Sequence, residues 1–256
     1  MNTKQIMWAV GVLIVLVVVF GVLTSFTKPT SIVKPAEQHA LAGTLQDNGD
    51  YVFDESTDTY EIKAQWPGTI ALPTADASAK ARLVIEQDIA DRIATFKSES
   101  IAGIDSQETA HLKELGTKYA LGFEYKHYSS PGYESYWYTV YEDTGGAHPN
   151  SYFFTHVFDA QGNDVKLADM LKDNPNWLDD LAALVRKDVV AQYKTRAEVS
   201  DTTGLIFDEG LAAKEENFSN WYLDGTDLVI EIPPYQVAAY VAGSFEVRVP
   251  LADVNN

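Results

Sequence analysis

From Ile6 to Phe26 the chain runs 21 residues without a charge, and Val10 to Phe20 is almost entirely Val, Leu and Ile. At about 1.5 Å rise per residue, a helix of this length crosses the ~30 Å hydrocarbon layer of a bilayer, and it has no polar face to offer water. The run therefore predicts a transmembrane anchor at residues 6–26. A buried core helix fits less well, because helices apolar on every side are rare at chain starts. A cleaved signal peptide also fits less well. The run exceeds the ~7–15 residues of a secretory apolar stretch, and it closes on Thr24, Ser25, Phe26, Thr27 and Lys28 instead of small residues.

Residues 27–49 turn to Pro, Ser, Thr, Ala, Gln and Gly, the composition of a tether stiffened early by Pro29 and Pro35. Beyond it the pattern acquires periods. Tyr51 to Trp66 alternates apolar and polar positions and ends at Pro67-Gly68, which predicts a strand or hairpin and then a turn. Asp76 to Phe96 carries an apolar stripe at i, i+4, i+8, capped by Asp76 or Ser78, with Glu86, Asp88, Asp91 and Arg92 on the wet side. From Tyr119 to Leu167 period two returns and predicts strands, with a tight turn at Asp159 to Asn163. A second helix is predicted over Asn176 to Tyr193, with Pro175 in its first turn. Strands close the chain at Phe218 to Leu223, Leu228 to Ile232 and Phe245 to Val249, the first two joined at Asp224-Gly225. This order predicts an α+β domain over residues 50–256: an antiparallel sheet with two main helices packed on it, preceded by one transmembrane helix.

Charge changes the picture outside the apolar run. Of 19 Lys and Arg, only Lys4, Lys28 and Lys34 precede the first carboxylate, Glu37, so the outer segment holds all 37 carboxylates and a net charge near −21. Such a field repels nucleic acid and favours a cationic protein, peptide or metal ion. Lys4 favours a cytoplasmic tail at residues 1–5, which places the large domain outside the cell membrane on a single span, although Lys28 and Lys34 weaken that bias. No Cys is present, which excludes disulfides, zinc-thiolate sites, iron–sulfur clusters and a cysteine nucleophile.

Three stretches then resemble a known family. They are Thr144 to Asn150 with the strand Phe153 to Phe158; Phe158 to Gly162 leading into Leu167 to Leu171; and Phe218 to Leu251, which contains Pro234-Tyr235-Gln236-Val237-Ala238-Ala239-Tyr240-Val241-Ala242-Gly243. Together they resemble the extracytoplasmic domain shared by the lysozyme-sensing anti-sigma factor RsiV and the peptidoglycan deacetylase PdaC, a domain of unknown function similar in fold to a secreted mycobacterial immunogen. The resemblance implies an extracytoplasmic α+β domain. It does not extend to a sigma-factor-binding segment, since only Met1 to Gln5 precede the apolar run, or to the deacetylase's separate catalytic domain.

The ligand-binding candidates are Tyr128, Tyr133, Tyr136, Trp137, Gly145, Gly146, His148 and Asn150. Adjacent glycines let backbone amides approach a ligand, although Gly145-Gly146 with Asn150 equally fits a positive-φ turn. The aromatic run, which also includes Tyr125, Tyr138 and Tyr141, must face outward at alternate positions unless both sheet faces are covered. Exposed Tyr and Trp suit sugar stacking or a protein interface. His127, His148 and His156 follow no metal-ligand spacing, and Asp159-x-Gln161-x-Asn163 lacks the closing Glu of a calcium loop, Met170 standing there. No Gly-x-Ser-x-Gly occurs. The expectation is a binding module without cofactor or metal that recognises a lysozyme-like protein or a cell-wall glycan. The alternative is a hydrolase of envelope polymers using carboxylates with His148.

Overall fold

The computed structural model describes residues 41–254, so the predicted anchor at 6–26 lies outside the described residues. No helix among the described residues is long and apolar enough to cross a membrane. The fold is a mixed α+β one with two sheets. Strands β1 (Thr44–Leu45), β2 (Asp50–Ser56), β3 (Tyr60–Pro67), β4 (Tyr119–Ser130), β5 (Tyr133–Asp143) and β6 (Asn150–Asp159) form a six-stranded sheet in sequence order. Strands β7 (Trp221–Asp224), β8 (Asp227–Ile232) and β9 (Phe245–Pro250) form a three-stranded one. Strand β1 falls inside the stretch predicted as tether, where Thr44 pairs with Val52.

The strand pattern predicted an antiparallel sheet, but the larger sheet is not wholly antiparallel. Strands β3 and β4 run parallel, with Tyr60 beside Tyr119 and Ala64 beside Phe123. A parallel pair needs a long crossover, and helices α1 (Ala75–Phe96) and α2 (Ser106–Leu115) supply it. Helix α1 buries Ala81, Ile85, Ile89 and Ile93 against Ile62, Ala64, Leu121, Phe123 and Val140, each isoleucine side chain contributing about 2 kcal/mol. Its cap is Thr74, whose hydroxyl accepts from the Ala77 amide. Neither predicted cap serves: Ser78 is buried and ties down the Ile70 amide instead. Helix α2 was not predicted because only Leu112 is buried, leaving no stripe to read. Its signals are the Asp105 cap and Gly116, at φ +67°.

After a single helical turn α3 (Leu167–Met170), helix α4 (Trp177–Ala197) packs Leu181, Val185 and Val189 against Leu228, Ile230, Phe245 and Val247, with the closing turn α5 (Leu251–Val254) beside them. Pro175 stands two residues before the first helical residue, and Asn174 organises the start by bonding Asp180 and the Val254 carbonyl.

The other face of the three-stranded sheet lies over the far half of β4 and β5. The Leu223 amide donates to Ser135 Oγ and the Trp221 amide to Thr155 Oγ1. Between the sheets Tyr222 stacks on Tyr128 at 4.4 Å, and Glu231 lies 3.5 Å from the Tyr222 hydroxyl. Burial first, then the cross-strand Glu246, push the Glu231 carboxyl up from 4.5 to about 7. The folded state therefore favours the neutral acid: the stability from this preference is complete below pH 4.5 and lost as pH rises through about 7. Glu231→Gln keeps the shape without that loss. Thermal melts should show it about 1–2 kcal/mol more stable than the parent at pH 8, a figure discounted for partial solvent access. At pH 5 the two should be near equal. An equal gain at both pH values would remove the charge explanation.

Candidate functional site

The loop joining β5 to β6 begins as an Asx turn, with Asp143 Oδ1 accepting from the Gly145 amide at 3.0 Å and Gly145 at φ +76°. The loop delivers His148 to the surface. Its Nδ1 lies 2.9 Å from the Pro149 carbonyl, which only accepts, so Nδ1 carries the proton. Its Nε2 lies 3.2 Å from the Tyr235 hydroxyl, a hydrogen bond that the hydroxyl donates when the ring is neutral. The His148 ring also stacks on Tyr240 at 4.2 Å, and Tyr235 and Tyr240 lie 5.2 Å apart.

Tyr235 and Tyr240 belong to the segment between β8 and β9. Tyr235 has φ +71°, a conformation costing a bulky residue about 1–2 kcal/mol. The segment holds it there through Gln236, whose amide nitrogen donates to the carbonyls of Gly210 and Asn217, and through the Phe207 amide, which donates to the Val237 carbonyl. Tyr235 is 53% exposed, Tyr240 39% and Val241 94%. Leu205 and Phe207, on the segment the Phe207 bond draws in, are exposed as well. Strained backbone and solvent-facing apolar groups thus coincide.

The sequence candidates separate. His148, Gly145, Gly146 and Asn150 are exposed, and of these His148 meets the two tyrosines. Tyr136 is a core residue, 2% exposed, packed on Tyr125 and Phe158 beneath α1. Tyr128 and Trp137 face the opposite side, as alternation requires, but Tyr222 covers them. Tyr133 is half-buried against the second core. The second sheet covers half of what period two alone leaves open. Tyr235 and Tyr240 were not candidates, although they lie in the stretch that carries the family resemblance. Their only local signal is two aromatics bracketing a turn opened by Pro233-Pro234.

The histidines do not converge. His127 contacts Glu134 at 2.6 Å, and His148 contacts Tyr235. His156 is buried between Asp164, 2.9 Å from Nδ1, and Asp88, 3.3 Å from Nε2. Burial alone would lower the pKa of His156, but the two carboxylates outweigh it and hold it at about 9. Burial likewise opposes the charge on Asp88, yet His156 and Arg92 keep its pKa below the usual value. Asp88 is therefore not a solvent-side residue of α1 as periodicity predicted: the buried imidazolium draws it in. No group of three metal-ligating side chains occurs among the described residues. Asp159 Oδ1 accepts from the Gln161 and Asn163 amides, making the Asp159–Asn163 segment a self-bonded turn.

Against known proteins, residues 168–252 match the family described as "Protein of unknown function (DUF3298)". No curated protein matches the chain. Its fold is similar to that of a DUF3298 family member from Bacteroides fragilis at TM-score 0.52 and 16% identity, covering 82% of this chain and 92% of that one. It is also similar to a DUF3298 family protein from Pseudomonas aeruginosa at TM-score 0.52 and 13% identity, covering 84% and 94%.

Proposed function

We propose that this protein is a non-catalytic binding module of a bacterial cell envelope, held to the membrane through Ile6 to Phe26 with its domain outside. It recognises an envelope protein through His148, Tyr235 and Tyr240. The observation that carries the reading is the strained Tyr235, fixed in the open beside two further rings where its own fold does not cover it. The net charge near −21 of the segment from Glu37 onward favours a basic partner, and the resemblance to a lysozyme-sensing domain suggests a lysozyme-like one. Flat, stacked rings also suit the face of a wall sugar, which makes glycan the second reading. A hydrolase is less well supported, because His148 bonds a carbonyl and a phenol and, among the described residues, no carboxylate that would set it up as a base.

Purified lysozyme and soluble peptidoglycan fragments are each titrated onto the full-length chain in mild detergent. Saturable binding to one of them is expected, and Tyr235→Ala/Tyr240→Ala should weaken it about thirtyfold, a loss of about 2 kcal/mol shared between the two rings. The melting temperature should not fall, since both rings are exposed. Unaltered binding by the double variant, or no binding to either probe, would sink the assignment.

A further inference from the structure

The three-stranded sheet covers only half of the outer face of the larger sheet, and the other half forms a groove of about 600 Å³, within the ~300–1,000 Å³ of ligand clefts. Its shape follows from one row across the strands: Asp54, Lys63, Gly122, Tyr141 and Ser151 are successive cross-strand neighbours. All but Gly122 carry a side chain, so the row dips into a trough between Lys63 and the exposed ring of Tyr141. Glu61 comes from one flanking row, beside Ala120, and Glu124 from the other, beside Thr139. Asp54 and Glu124 have no hydrogen-bond or ion-pair partner among the described residues, and Lys63 reaches Glu61 only at 3.5 Å and in the open. Three carboxylates around one lysine leave the groove negative.

We infer that this uncovered sheet face is a docking groove for an extended, basic polypeptide segment, one whose Lys or Arg side chain enters the Gly122 trough. Charge complementarity selects the occupant. A cation in the trough lies against the Tyr141 ring with carboxylates on either side, an arrangement in which ring and ion pairs act together. An extended segment repeats its side chains on one face at every second residue, the period of the rows beneath it. The surface uses none of the three residues of the loop cluster, so it stands or falls independently of that assignment.

The test uses the full-length chain in mild detergent and a fluorescein-labelled decapeptide of alternating Lys and Thr, read by anisotropy at low salt. Saturable binding is expected. Asp54→Asn/Glu124→Gln should weaken it about tenfold. Gly122→Phe should do the same by filling the trough, since a Cβ at Gly122 meets nothing nearer than Tyr141 Cβ at 3.8 Å. Glu114→Gln/Asp173→Asn removes equal charge elsewhere and should bind like the parent. Circular dichroism checks each fold, and if Gly122→Phe fails to fold the Asn/Gln pair decides. Absence of binding, equal losses in the two charge pairs, or parental affinity in folded Gly122→Phe would each overturn the proposal. Failure here leaves the Tyr235 and Tyr240 variants as a separate question.

Discussion

At pH 6 the variant His156→Gln is expected to melt about 10 °C below the parent, the shift that follows from a loss of about 3 kcal/mol in a domain of this size. The energy comes from linkage. Held between Asp164 and Asp88, the imidazolium has a pKa raised from 6.5 to about 9, and each unit is worth about 1.4 kcal/mol. A raised pKa contributes stability that is complete below the unfolded value, 6.5, and is lost as pH rises through about 9. Asp88 has the opposite sign: its lowered pKa contributes above 3.8 and is lost as pH falls through the folded value. Apart from the decline that Glu231 imposes between about pH 4.5 and 7, the parent should therefore be flat between about pH 4 and 6.5, and His156 makes it weaken further on the alkaline side. His156→Gln should lack the alkaline limb, so that the two proteins converge above pH 9. Thermal melts across this range check it, and a variant that kept the alkaline limb would show that another group titrates. The glutamine leaves Asp88 with Arg92 and takes a cation from the buried face of α1.

Gly162→Ala is expected to cost about 3–4 kcal/mol through two causes in one atom. Gly162 has φ +72°, where an alanine is strained by about 1–2 kcal/mol. A Cβ there would also collide with the Ala77 carbonyl in the first turn of α1, backbone that cannot swing aside. Gly225→Ala separates the causes. It shares the left-handed conformation at φ +61° but meets nothing within 4 Å, so it should cost only about 1 kcal/mol. Denaturant midpoints for the two variants measure the difference. Equal losses would mean that the contact between the Asp159–Asn163 turn and α1 contributes nothing.

Wherever a residue's neighbours in sequence were also its neighbours in space, the fold was legible. The stripe of Ile85, Ile89 and Ile93, the period-two runs of β4 to β6 and the Asp224-Gly225 turn are local patterns, and the structure has elements there. Helix α2 has one buried residue and so no pattern to read. The parallel pairing of β3 with β4 was equally hidden, because period two is the same in both directions.

The candidate site was legible to a smaller extent. His148 was singled out for its glycines, and the structure places it at the surface against Tyr235 and Tyr240, about 90 residues away in the chain. Composition drew attention to the aromatic run, yet Tyr136 turned inward and Tyr222 covered Tyr128 and Trp137. By itself, then, the sequence determined the mixed α+β class, the helices with an apolar face, the strands other than β1, the main turns, the strong negative charge and the absence of cysteine chemistry. Only the tertiary structure decided the order of the sheets, the burial of His156 between two carboxylates, and which aromatic rings face water. The reason is physical: alternation along a strand assigns a side chain to a face, but whether that face is covered depends on a second sheet built from residues far along the chain.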